Sequence, residues 1–148
     1  GQLPLFYSQG KQRAYVEEEG TPLYAFGYGL SYTQFDYSGL EIQKGNGKDI
    51  LQTVSCTVTN TGDRDGEEVV QLYICDKVAS VSQAPILLKS FERVPLKKGE
   101  SKKITFTLGE EELSLYNMEM KQVVEPGDFK VMVGAASDDI RLKGEFTL

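Results

Sequence analysis

The chain has 148 residues, with 16 Lys plus Arg against 22 Asp plus Glu and no histidine or tryptophan, for a net charge of −6. A domain of this length buries roughly 70% of the surface its unfolded chain exposes, so a core forms without disulfides or metal. The acidic balance repels a phosphate backbone and argues against nucleic acid as a partner, while the lack of histidine removes the commonest general base and metal ligand together.

Residues 1–20 open with one apolar patch, Leu3-Pro4-Leu5-Phe6-Tyr7, followed by a polar tract from Ser8 to Gly20 without periodicity. This reads as the end of a neighbouring domain and an extended connector. The opening lacks the charged flank and small-residue cleavage pattern of a signal peptide, and no apolar run approaches the about 18 residues of a membrane span. The expectation is therefore no membrane insertion, with any export signal of a longer parent upstream of Gly1. The compartment is not assigned.

Residues 21–33 crowd Tyr24, Phe26, Tyr28, Leu30 and Tyr32 around Gly27 and Gly29. Aromatic side chains bury large areas with specific geometry, and glycine lets a backbone turn or pack closely. The segment reads as a docking linker, those five residues being its candidate interdomain contacts.

From residue 34 onward apolar and polar residues alternate, the period of strands half buried against a core. Strands are expected at 34–43, 49–59, 67–75, 86–94, 101–108, 121–124, 128–134 and 140–148. Turn compositions punctuate them, among them Lys44-Gly45-Asn46-Gly47-Lys48, Asn60 to Gly66 and Pro126-Gly127-Asp128. Only Glu110 to Tyr116 suggests a turn of helix, with acidic residues where the helix dipole favours them. Seven to eight short strands at this spacing predict an antiparallel immunoglobulin or fibronectin type III-like β-sandwich over residues 34–148. The missing tryptophan and the short cysteine spacing favour the fibronectin type III branch.

Cys56 falls in phase with Ile50, Val54 and Val58, the inward set of its strand, whereas Cys75 is out of phase with Val70, Leu72 and Ile74. That difference disfavours a disulfide, whose Cβ atoms must approach to about 4 Å. Chemistry in such a chain would fall to carboxylates, but Glu17-Glu18-Glu19, Glu110-Glu111-Glu112 and Asp138-Asp139 are adjacent runs of the kind that water solvates. Asp63, Asp65 and Glu67 alternate around Gly66 and could offer oxygens to calcium, yet the full spacing of a calcium loop is absent and hairpin-turn chemistry accounts for them. No metal or cofactor is expected, and no catalytic residue. Tyr24, Tyr28, Tyr32 and Tyr116 are the rings that could stack on a sugar.

Pro22-Leu23-Tyr24-Ala25-Phe26-Gly27-Tyr28-Gly29-Leu30-Ser31-Tyr32 closely resembles the signature that opens the C-terminal fibronectin type III-like domain of family 3 glycoside hydrolases, with Ala25 where that family usually has proline. Four further stretches resemble the same module in the same order: Thr57 to Tyr73, Pro85 to Val94 with Ser90 in place of a glycine, Leu113 to Tyr116, and Val124 to Phe129. Gly1 to Leu5 is similar to the close of the α/β sandwich domain that precedes it.

The resemblance implies a sugar-cleaving parent of β-glucosidase or β-xylosidase type. Its barrel would carry the nucleophile and its α/β sandwich usually the acid/base, both before Gly1. The expected function is a non-catalytic scaffold whose partners are those two domains of the same chain. Arg13, Tyr15 and Glu17, in the polar tract, are candidates for contact with substrate at the parent's active-site mouth. The alternatives are a carbohydrate-binding module that takes up oligosaccharide, and an adhesion-type sandwich unrelated to hydrolysis.

Overall fold

A computed structural model describes residues 7, 22–47, 49–81 and 86–148. Arg13, Tyr15 and Glu17 lie outside the described residues. In chain order the elements are β1 (Phe35–Lys44), β2 (Gln52–Asn60), β3 (Gly66–Asp76), β4 (Leu87–Leu96), β5 (Ser101–Leu108), α1 (Glu110–Leu113), β6 (Leu115–Tyr116), β7 (Gln122–Val123), β8 (Asp128–Gly134) and β9 (Ile140–Thr147).

Seven of the strands form two antiparallel sheets, ordered β1-β2-β5 and β4-β3-β8-β9, and β6 pairs with β7 as a separate hairpin. The chain changes sheet between β2 and β3 and again between β4 and β5, as a sandwich requires. Val54, Cys56 and Val58 of β2 and Ile104, Phe106 and Leu108 of β5 face Val70, Leu72 and Ile74 of β3 and Phe129, Val131 and Val133 of β8, all buried. Each such aliphatic side chain contributes about 1.5–3 kcal/mol on burial.

All eight expected strands are present, and the expected fibronectin type III-like sandwich is the observed one. Ile50 corrects the inward set. It lies before β2 begins, beyond the last β2–β5 pair, Gln52 opposite Leu108, and is 38% exposed. Alternation fixes a side chain's face only while the ladder continues. The expected helical turn is shorter than read: α1 ends at Leu113 and Leu115–Tyr116 is a strand. Glu112 turns back to accept the Gly109 N–H at 2.8 Å, which caps the single turn. Cys56 is buried and Cys75 half-buried, and both are free thiols.

Asn60, at the end of β2, is fully buried. Its amide donates to the carbonyls of Arg64 at 2.9 Å and Leu96 at 3.1 Å, and its Oδ1 accepts from the Thr33 hydroxyl at 2.7 Å and the Gly62 N–H at 3.1 Å. One side chain thus joins the end of the linker, the 60–66 turn and β4.

Candidate docking site

In an isolated sandwich, the outer face of β3 would be polar. Here Gln71 and Tyr73, which point away from the core, are buried, because the aromatic linker lies across them. The linker makes a turn in which the Tyr28 N–H donates to the Ala25 carbonyl at 3.0 Å. Gly27 sits at φ 81°, in the left-handed region that favours glycine. An added Cβ there would also run into the Gln71 carboxamide.

That carboxamide fastens the turn. Gln71 Nε2 donates to the carbonyls of Gly27 at 3.1 Å and Ala135 at 2.5 Å, and Gln71 Oε1 accepts from the Tyr73 hydroxyl at 2.5 Å. Burial, with the neighbouring Tyr7 adding to it, pushes the Tyr73 phenol up to about 12. The Ser137 N–H donates to the Phe26 carbonyl at 2.9 Å, a second fastening. Gly29 needs no such freedom, since its φ is not positive and a Cβ there would meet nothing within 4 Å.

The five candidate docking residues divide into two groups. Phe26, itself 44% exposed, stacks on Tyr7 with ring centroids 4.0 Å apart, so one face of its ring is used within this chain. The others face outward: Tyr24 is 65%, Leu30 88% and Tyr32 91% exposed, while Tyr28 is exposed and tilts against Tyr24 at 5.1 Å. Sequence reasoning missed Leu23, Val69 and Phe91, all exposed. Phase on their strands could have found Val69 and Phe91, since apolar residues at outward positions of β3 and β4 mark a covered face. Tyr28, Leu30, Val69, Gln71 and Phe91 share one open groove of about 740 Å³. Tyr116 is exposed on the separate β6–β7 hairpin and takes no part in it.

One end of the groove is polar. Arg141 donates from Nε and Nη2 to the two carboxylate oxygens of Asp139 at 2.5 and 2.7 Å, and from Nη1 to the Phe35 carbonyl at 3.1 Å. Its guanidinium carbon lies 5.6 Å from the centre of the Tyr37 ring. The hydrogen bonds from Arg141 hold the Asp139 carboxyl below the usual range. Burial raises the carboxyl of Glu68. It also raises the Tyr37 phenol well beyond its ordinary value, the Glu68 charge adding to it, and the Tyr37 hydroxyl is buried without a hydrogen-bond partner among the described residues.

The three carboxylates around the 60–66 turn are engaged separately. Asp63 pairs with Arg64 at 3.4 Å, Asp65 accepts the Lys98 N–H at 2.8 Å, and Glu67 pairs with Arg93. Among the described residues no group of three or more His, Cys, Asp or Glu side chains gathers as a metal site. The arrangement offers a contact surface: rings on a fastened turn beside an apolar groove.

Comparison with known proteins agrees with that picture. The profile of the fibronectin type III-like domain matches residues 68–137. A β-xylosidase of Formosa agariphila is 45% identical over 144 residues, covering 93% of this chain and 19% of its own length. A solved β-glucosidase from Erythrobacter marinus superposes with a TM-score of 0.88 at 39% identity, over 99% of this chain and 20% of that one. The GH3 β-glucosidase of Bifidobacterium adolescentis gives 0.79 at 40% identity, over 84% and 18%. The chain spans about a fifth of the length of these relatives. It belongs to the fibronectin type III-like domains of family 3 glycoside hydrolases.

Proposed function

We propose that the chain is a non-catalytic C-terminal accessory domain of a β-glucosidase or β-xylosidase, and that it holds the catalytic domains in their working arrangement. The observation that carries this reading is the contrast within the linker. Its backbone is fastened to the sandwich through Gly27 and Phe26, while Tyr24, Leu30 and Tyr32 stand in water. Fixed, exposed apolar groups mark a surface that another body covers. The long relatives, of which this chain matches about a fifth, supply the kind of body. Orientation matters to such an enzyme, because a misplacement of about 1 Å costs on the order of a hundredfold in rate.

Retaining hydrolysis needs two carboxyl groups about 5 Å apart across a cleft. Asp63, Asp65, Glu67 and Asp139 are each committed to a different partner, so these four do not form such a pair with one another; we place the pair in other domains.

Aryl β-glucosides and β-xylosides incubated with the purified chain are expected to remain intact. Hydrolysis abolished by a single substitution within the chain would overturn the reading. In the longer parent, replacing Tyr24, Leu30 and Tyr32 together with serine is expected to lower both kcat/KM and Tm; a parent indifferent to the change removes the docking role. Titration with soluble glucans and xylans separates the carbohydrate-binding alternative, which requires specific binding lost on Tyr→Ala substitution.

A further inference from the structure

Tyr7 stands well before the linker in sequence, yet it packs on the outer face of the four-stranded sheet. Its ring lies nearly parallel to that of Phe26, at 4.0 Å and 15°, and meets that of Tyr73 edge-on at 6.4 Å. Its hydroxyl accepts the Leu88 N–H at 3.0 Å, a contact between residues 81 positions apart.

Leu88 is at an irregularity of the β3–β4 ladder. Ser90 lies opposite Leu72, but the next residue of β3, Tyr73, lies opposite Leu88, so Lys89 is passed over. A bulge interrupts pairing and re-aims a strand locally. Here a backbone donor goes to a side chain from another part of the chain.

The seat is built from behind. Phe26 is held by the Ser137 N–H on its carbonyl, and the Tyr73 hydroxyl is engaged by Gln71. Stacking and edge contacts would accept any six-membered aromatic ring. The Leu88 N–H adds a requirement for an oxygen at the ring's far end, because a half-buried donor without an acceptor is costly.

We propose that this face carries a seat selective for one phenolic side chain, that of Tyr7, and that the seat anchors the segment before the connector to the sandwich at a fixed point. The anchor stands on this geometry alone. Its use in registering a neighbouring catalytic domain rests on the scaffold reading above.

Amide hydrogen exchange followed by NMR on the 148-residue chain tests it. Tyr7→Phe keeps the stack and removes the acceptor. Exchange at Leu88 is expected to accelerate about fivefold or more, while Val131 in the core of β8 is unchanged. Tyr7→Gly empties the seat; added p-cresol is expected to shift Phe26 and Leu88 resonances and to slow Leu88 exchange again, whereas toluene shifts Phe26 without slowing Leu88. Leu88 exchange that is the same in Tyr7→Phe and the parent chain overturns the proposal, as does p-cresol behaving like toluene. None of these readouts involves hydrolysis, so failure of the scaffold reading would leave them unmoved.

Discussion

Gln71 and Gly27, 44 positions apart, share a hydrogen bond of 3.1 Å from the carboxamide to the backbone carbonyl, and the glycine has no side chain where that carboxamide lies. The linker and the outer face of β3 are therefore fitted to each other. Replacing Gln71 with alanine leaves the Gly27 and Ala135 carbonyls and the Tyr73 hydroxyl without their partner. Urea unfolding is expected to show a loss of about 1–3 kcal/mol, with exchange of the Tyr28 amide, which is bonded to the Ala25 carbonyl, rising more than that of the core strands.

The two glycines of the linker should respond differently to the same change. Gly27→Ala meets both a positive φ and the Gln71 carboxamide, and is expected to cost about 1–3 kcal/mol. Gly29→Ala meets neither obstacle and is expected to be neutral or to stabilise by up to about 1 kcal/mol through the unfolded chain. Equal losses in thermal unfolding would show that the linker turn is not set by Gly27.

Asn60 is fully buried and its side chain makes four hydrogen bonds. Asn60→Ala is expected to destabilise by about 3 kcal/mol, since it strands several buried groups at once. Asn60→Asp is expected to be no better, because the carboxylate cannot donate to the Arg64 and Leu96 carbonyls. Chemical denaturation of both variants checks this.

Glu68 and Asp139 should give opposite pH dependence. Burial raises the Glu68 carboxyl, so the folded state keeps a proton that the unfolded state has released. Its contribution is full below the ordinary carboxylate value and is lost as pH rises through the folded value. Glu68→Gln is thus expected to have a higher Tm than the parent chain at pH 7, the gap closing by about pH 4. Arg141 lowers the Asp139 carboxyl, so that contribution is present at neutral pH and lost as pH falls through the lowered value. Asp139→Asn is expected to be less stable at pH 7, with the difference shrinking in acid.

The two thiols should differ in access. Burial pushes the Cys56 thiol up to about 11, so at pH 8 it is almost entirely protonated as well as shielded, and only the thiolate reacts. A thiol-specific chromophoric reagent is expected to label Cys75 alone in the native chain and both residues in denaturant. Rapid native labelling of Cys56 would contradict its place in the core.

Alternation in β2, β5 and β9 and the glycine-rich and acidic turns between strands determined a sandwich from the sequence, because a period of two needs only the next residues of the same strand to be read. The crowding of rings before β1 likewise marked the linker, and the phase of Cys56 against Cys75 separated the thiols. What lies outside β3 was decided by tertiary structure. Gln71 and Tyr73 occupy positions that alternation assigns to solvent, and they are buried only because Gly27, Phe26 and Tyr7 come over them from far along the chain. Strand phase shows at most, through Val69 and Phe91, that this face is covered; it carries no information about which distant residues cover it, so only the tertiary structure makes it the place where the linker is held.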